Sequence, residues 1–255
     1  MSDDQPARRA RGAAVFSAVV ASLLVIGGIV WLGVVDKSRS TPPAAAAVSG
    51  ASCTWTPADA TQNPALTKTG TPPTKNLPTS GTRDMTLATS QGTITVKLDV
   101  THAPCSAASF AYLASQRFFD DTTCNRMTTT GIFVLQCGDP SKTGAGGPSY
   151  TYAHENLPTA AVNYPAGTVA MANANDPDGN GSQFFIVYKD TPTDPTTGQS
   201  VLPSNYTVIG TISTGLDIVQ KVAKAGTDNA NGPGDGKPKL AVNITSLTVG
   251  PVVAG

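Results

Sequence analysis

The chain has 255 residues with 17 basic and 17 acidic side chains, and only 13% of its residues are charged. A neutral surface excludes a nucleic-acid binder, which needs a basic face, and offers no steering field for strongly charged substrates. Glutamate occurs once, at Glu155, which excludes a glutamate pair as acid and base, while 25 Gly and 20 Pro favour strands and turns over helices.

Arg8, Arg9 and Arg11 precede an uncharged stretch, residues 12–35, that ends at Asp36. As a helix it would span roughly 36 Å, enough for a hydrocarbon core of about 30 Å. A cleaved signal peptide has a shorter apolar region, of ~7–15 residues. The expectation is a retained transmembrane helix, with residues 1–11 cytoplasmic and everything after Asp36 outside. Cleavage near 42–51 is the alternative. Residues 36–81, rich in Pro, Ala, Thr and Ser, read as a spacer with little core of its own.

All four cysteines, Cys53, Cys105, Cys124 and Cys137, follow the anchor. An even number in an extracytoplasmic chain predicts disulfides, with three connectivities open. Their spacing matches no zinc or redox motif, and only two His are present, so no metal is expected. If all four are bonded, one bridge must tie Cys53 in the spacer to the domain that follows.

From residue 82 the pattern changes. Residues 84–99 read as two short strands around Gln91-Gly92, with Ile94, Val96 and Leu98 alternating with Thr and Lys. Residues 104–119 read as a helix that opens with Pro104 and turns Phe110, Leu113 and Ala114 to one side. Strands are predicted at 122–127, 133–137, 168–172, 184–189, 206–212 and 240–249. A second helix is predicted over 215–226, with Leu216, Val219, Val222 and Ala223 on one face and Gly226 as its stop. Many short strands with two helices predict a β-barrel or sandwich with helical caps, over residues 82–250, with 251–255 as a tail. In "NGSQFFI" (180–186), neighbouring side chains on a strand point to opposite faces, so one of Phe184 and Phe185 enters the core and the other looks outward.

Two further signals are weak. His154-Glu155 lacks the second His of a metalloprotease helix, and "GAGG" (144–147) lacks the Lys-Ser/Thr of a phosphate loop.

With those elements placed, the sequence resembles the cyclophilin family of peptidyl-prolyl isomerases over roughly 85–249. The likeness is carried by "MANANDPDGNGSQFFIVY" (171–188), "FVLQCGDPSKTGAGGPSY" (133–150), "CNRM" (124–127) and "YTVIGTISTGLDIVQKV" (206–222). It implies a mainly β fold: a closed eight-stranded antiparallel barrel capped by two α-helices, here preceded by the membrane helix. It also implies isomerisation of X-Pro bonds in exported polypeptides, with no cofactor or metal. Carried over by position, the catalytic Arg falls on Arg126 and the proline pocket on Phe133, Val134, Phe185 and Leu202. Substrate-backbone contacts fall on Gln136, Ala172, Asn173 and Gln183, and Tyr206 stands where the family has a pocket His. The family's frequent pocket Trp has no counterpart, which implies weak binding of cyclosporin-type peptides.

These residue types suit the chemistry. Rotation about a peptide bond is opposed by a barrier of roughly 18–20 kcal/mol from amide resonance. Catalysis needs a site that prefers the twisted amide, not a nucleophile. Twisting localises the lone pair on the proline nitrogen, where the fixed donors of Arg126 can meet it. The expected partners are proline-containing polypeptides and, through the N-terminal helix, the cell membrane; the domain is read as monomeric. The alternative on the same fold is a non-catalytic module that binds proline segments. A hydrolase, the third class, has only His102 and His154 as His bases.

Overall fold

The computed structural model describes residues 50–158 and 164–254. The expected membrane helix at 12–35 and the first part of the spacer lie outside the described residues. Among the described residues, no helix is long and apolar enough to cross a membrane.

In chain order the elements are β1 (Thr56–Pro57), β2 (Leu66–Thr67), β3 (Thr82–Thr89), β4 (Gly92–Asp99), α1 (Pro104–Ser115), β5 (Thr122–Thr123) and β6 (Arg126–Thr128). There follow β7 (Val134–Cys137), β8 (Gly147–Pro148), β9 (Tyr150–Thr151), β10 (Thr168–Met171), β11 (Phe184–Val187) and β12 (Val208–Thr214). The chain ends with α2 (Leu216–Ala225), β13 (Asp235–Gly236) and β14 (Asn243–Val249). Ten of these strands form one curled sheet, ordered β13-β6-β7-β11-β10-β12-β4-β3-β14-β5. All of its pairings are antiparallel.

The hydrogen-bonded ladder does not run unbroken around the domain. The strand anticipated at 122–127 is broken at Cys124-Asn125, where pairing passes from one end of the sheet to the other. The Cys124 N–H donates to the Val242 carbonyl at 2.9 Å, and the next N–H, of Asn125, donates to the Gln136 carbonyl at 3.0 Å. Two residues of chain therefore bridge the sheet's ends where a continuous ladder would have closed it.

Alternation sets the two faces. Ile94, Val96 and Leu98 of β4 point inward and are essentially buried. The first helix ends at Ser115, short of the expected 119, because Arg117 takes a left-handed backbone (φ 57°). That turn folds Phe118 and Phe119 back into the core, where Phe119 stacks on Phe110 with ring centroids 5.4 Å apart. The second helix buries Val219 and Val222 and stops at Gly226, whose φ of 80° is the left-handed conformation that glycine adopts without a Cβ clash. The N-terminus of α1 receives the chain's single glutamate. The Glu155 carboxylate accepts from the N–H groups of Cys105 (3.1 Å) and Ser106 (2.6 Å), a favourable place for negative charge.

Residues 50–81, read from composition as spacer, are laid along the domain. Cys53 is bonded to Cys105 of α1, which ties this segment down as the cysteine count required, and Cys124 is bonded to Cys137. β1 pairs with β9, and β2 pairs in parallel with β8. Trp55 is buried edge-on against Tyr150 and Tyr152, each ring centroid 5.4 Å away. The composition of this segment hides its attachment, because one Trp and one Cys among Pro and Thr produce no periodicity.

Candidate functional site

Strands β10 and β11 are buried on both faces, and their side chains divide between two clusters. Phe184 and Ile186 of β11 join Val169 and Met171 of β10 in the large inner core. Phe185 and Val187 face the other way, with Ala170, Val134, Tyr164 and Leu202, in a smaller outer cluster. The two adjacent phenylalanines thus sit in different cores, as the strand period requires.

Register then builds the site. Cα pairing runs Arg126↔Gln136 across β6 and β7, Gln136↔Phe185 across β7 and β11, and Phe185↔Ala170 across β11 and β10. Paired residues of an antiparallel sheet share a face, so guanidinium, amide and phenyl form one outward row. Beside it, Gln136 Nε2 donates to Gln183 Oε1 at 2.8 Å. Gln183 Nε2 in turn donates to the carbonyls of Gly144 (3.0 Å) and Gly146 (2.9 Å). Two amide side chains are thereby fixed on the Gly-rich loop.

The guanidinium is held by a carboxylate. Arg126 donates from Nε to Asp235 Oδ1 at 2.9 Å and from Nη2 to Oδ2 at 2.6 Å, and Asn231 Nδ2 also donates to Oδ1 at 3.1 Å. Two of the five guanidinium N–H groups are so engaged. The hydrogen bond from Arg126 holds the Asp235 carboxyl below its ordinary value and raises that of the guanidinium further. Arg126 remains 39% exposed and lines a cleft of about 400 Å³ with Ile132 and Val201.

Of the sequence-predicted pocket, Val134, Phe185 and Leu202 come together, with Tyr206 packed against them. The Tyr206 ring stands perpendicular to Phe185 at 5.4 Å. Only 5% of Phe185 is exposed. Phe133, expected in the pocket, does not pack with this group. One residue out of phase with Val134, it packs against the inner core and Tyr188, with the Lys189 ammonium 4.4 Å from its ring centroid. Ile132, in phase with Val134, packs on the outer cluster instead.

Gln136, Ala172, Asn173 and Gln183 line a second cleft, of about 340 Å³. The Asn173 side chain is turned into the loops: Nδ2 lies 2.9 Å from His154 Nε2 and donates to the Asn205 carbonyl at 3.0 Å, while Oδ1 accepts from the Asn175 N–H at 2.9 Å. What Asn173 offers the cleft is its backbone. The Ala172 N–H is bonded to the Gln183 carbonyl at 2.9 Å.

Two functional residues escaped sequence reasoning. Asp235 lies 109 residues from Arg126 in a Gly-Pro loop with no pattern. Tyr164, just before Pro165, is buried within the outer cluster. Its hydroxyl donates to the carbonyls of Pro203 (3.1 Å) and Tyr206 (3.2 Å) and accepts from the Tyr206 N–H at 3.1 Å. It fixes the loop that carries Leu202 and Tyr206, and burial pushes its pKa up to about 12.

The domain is thus a curled antiparallel sheet with two helices, carrying an arginine, paired amides and an apolar cluster outside its inner core. Residues 84–249 match the family described as "Cyclophilin type peptidyl-prolyl cis-trans isomerase/CLD", and the chain belongs to that family. It is 44% identical over 213 residues to "Probable peptidyl-prolyl cis-trans isomerase B" of Mycobacterium tuberculosis, covering 78% of this chain and 64% of that one. The Mycobacterium leprae protein of the same name is 45% identical, over 63% of this chain and 55% of the relative. The chain thus spans less than two thirds of the length of these relatives. "Peptidyl-prolyl cis-trans isomerase-like 1" of Neurospora crassa is 34% identical, over 59% of this chain and 86% of that one. Among solved structures, a cyclophilin type isomerase of Cryptosporidium parvum, crystallised in the presence of the dipeptide Ala-Pro, superposes with a TM-score of 0.52. It is 23% identical and covers 66% of this chain and 99% of its own, a likeness of fold.

Proposed function

We propose that this chain catalyses cis-trans rotation of X-Pro bonds in polypeptides. The observation that carries the reading is the outward row Arg126, Gln136, Phe185. In it a permanently charged donor set adjoins an apolar cluster, with amides fixed alongside. The prolyl ring would rest on Val134, Phe185 and Leu202, while Gln136, Gln183 and the Ala172-Asn173 backbone hold the flanking peptide. As the amide twists, its nitrogen becomes a better acceptor, and N–H groups of Arg126 not engaged by Asp235 donate to it. This interaction strengthens only in the twisted state, which is the condition for acceleration. NMR exchange on an Ala-Pro peptide tests the reading: the full chain should speed exchange well above the buffer rate. Exchange at the buffer rate would refute it.

A second reading is favoured by the almost complete cover of Phe185: a non-catalytic module that binds proline-containing segments. It predicts peptide binding without exchange. Cyclosporin-type peptides should bind weakly in either case, since Trp55 belongs to the inner cluster and not to the groove.

We further propose that the domain acts on exported chains, anchored by residues 12–35 with its N-terminus in the cytoplasm. Support comes from Arg8, Arg9 and Arg11 before that apolar stretch and from two disulfides that use all four cysteines, bonds typical of oxidising compartments. Protease added to intact cells should digest the domain; a fully protected domain would overturn the placement.

A further inference from the structure

The 340 Å³ cleft beside Gln136 and Gln183 is not made by the barrel alone. Its outer wall is supplied by Asn63 and Leu66, from the segment that precedes the family-matched region. That segment is fastened at three points. Cys53 is bonded to Cys105, Leu66 and Thr67 pair with Gly147 and Pro148, and Asn63 Nδ2 donates to the Ala145 carbonyl at 2.9 Å. The loop it grips is the one whose Gly144 and Gly146 carbonyls fix Gln183. That loop is closely packed: Asp139 Oδ1 accepts from the Ser141 N–H and hydroxyl, and a Cβ on Gly146 would clash with that carboxylate. Leu66 is half-buried, pairs with Gly147 and lines the cleft.

We propose that this disulfide-held segment is one wall of the substrate groove, and that Leu66 selects an apolar side chain flanking the X-Pro bond. The inference rests on the isomerase reading above. A peptide lying over Phe185 and along Ala172-Asn173 runs past this cleft, because Ala172, Asn173, Gln136 and Gln183 are shared by both. The lining chemistry fits an aliphatic or aromatic occupant. Leu66, Ala145, Ala172 and Pro148 give apolar surface, and no ionisable acid or base lines the cleft apart from the Tyr150 phenol. Asn63 acts as a positioning residue, holding the loop and not the occupant.

The test is exchange NMR with the full chain on two peptide series, Xaa-Ala-Pro-Phe and Ala-Ala-Pro-Xaa, with Xaa either Gly or Leu. In one series the wild type should prefer Leu by about tenfold in kcat/KM. Leu66→Ala should bring that ratio near unity, chiefly by slowing exchange of the Leu peptide. Leu66→Phe, which narrows the cleft, should change the Leu/Gly ratio from that of the wild type and serves if the alanine variant does not fold. Equal rates for Gly and Leu in both series, or an intact preference in folded Leu66→Ala, would overturn the proposal. If no peptide is isomerised, the activity reading fails separately. The same Leu/Gly ratio, measured as Kd by calorimetry, then decides the fate of the wall by the same criteria.

Discussion

Phe184 and Phe185 are chain neighbours with almost equal burial, yet they serve opposite sides of one strand. Phe184 sits edge-on to Phe110 at 5.6 Å in the inner core, surrounded by residues from the strands and the first helix. Phe185 belongs to a cluster of six buried residues, bounded by Gln136 on one neighbouring strand and roofed by a single loop that Tyr164 pins. A core closed on all sides can only stabilise. A cluster that ends at an arginine and at solvent can exchange part of its cover for a ligand.

The largest effect expected from this contrast is on stability. Phe184→Ala should cost about 3–5 kcal/mol in denaturant unfolding, enough to remove most of the folded protein in a marginal domain. Phe185→Ala should cost less, about 1–3 kcal/mol, because a surface loop can settle into the space. Its loss should appear instead as at least a roughly tenfold fall in kcat/KM on Ala-Pro peptides. Equal stability losses with unchanged turnover would abolish the distinction between the two faces.

The second effect concerns the cation's orientation. Asp235→Asn keeps an acceptor but removes the charge and the bidentate grip on Arg126. Turnover should fall by about tenfold, less than the loss expected from removing the arginine. The melting temperature should change little, since an ion pair that solvent still reaches contributes little to stability. Unchanged or faster turnover would make Asp235 a competitor for the guanidinium and not its support.

The smallest effect is a pH dependence at the inner side of the domain. Burial pushes the Glu155 carboxyl above its ordinary value of 4.5, against the opposing hydrogen bonds from Ser106 and Cys105. A raised folded-state value means the native state binds the proton more tightly than the unfolded chain. This contribution is therefore full below 4.5 and is lost as pH rises through the raised value. Denaturant unfolding across that range should show the wild type losing stability relative to Glu155→Gln as pH increases. A difference that is flat or of opposite slope would refute the assignment.

The fold was legible where chemistry is local. The alternation of Ile94, Val96 and Leu98, the Gly226 stop and the opposed phenylalanines each follow from backbone period and conformation. So did the link from Cys53 to the domain, because four cysteines leave no other way to pair all of them. Likeness of a motif did not show that Phe133, out of phase with Val134, packs on the inner side. Asp235 and Tyr164 were invisible for another reason: each acts on a partner far along the chain, from a loop whose sequence shows only turn residues. The packing of residues 50–81 was not legible in the sequence, because one Trp and one Cys decide it and composition averages them away.

The central claim is that the Arg126 guanidinium favours the twisted amide over the planar one. Catalysed exchange on an Ala-Pro peptide at saturating concentration, comparing the full-length wild type with Arg126→Ala, tests it most directly. The account predicts that kcat falls by about a hundredfold or more while the peptide Kd stays within a few-fold. An unchanged kcat, or a loss confined to Kd, would contradict it.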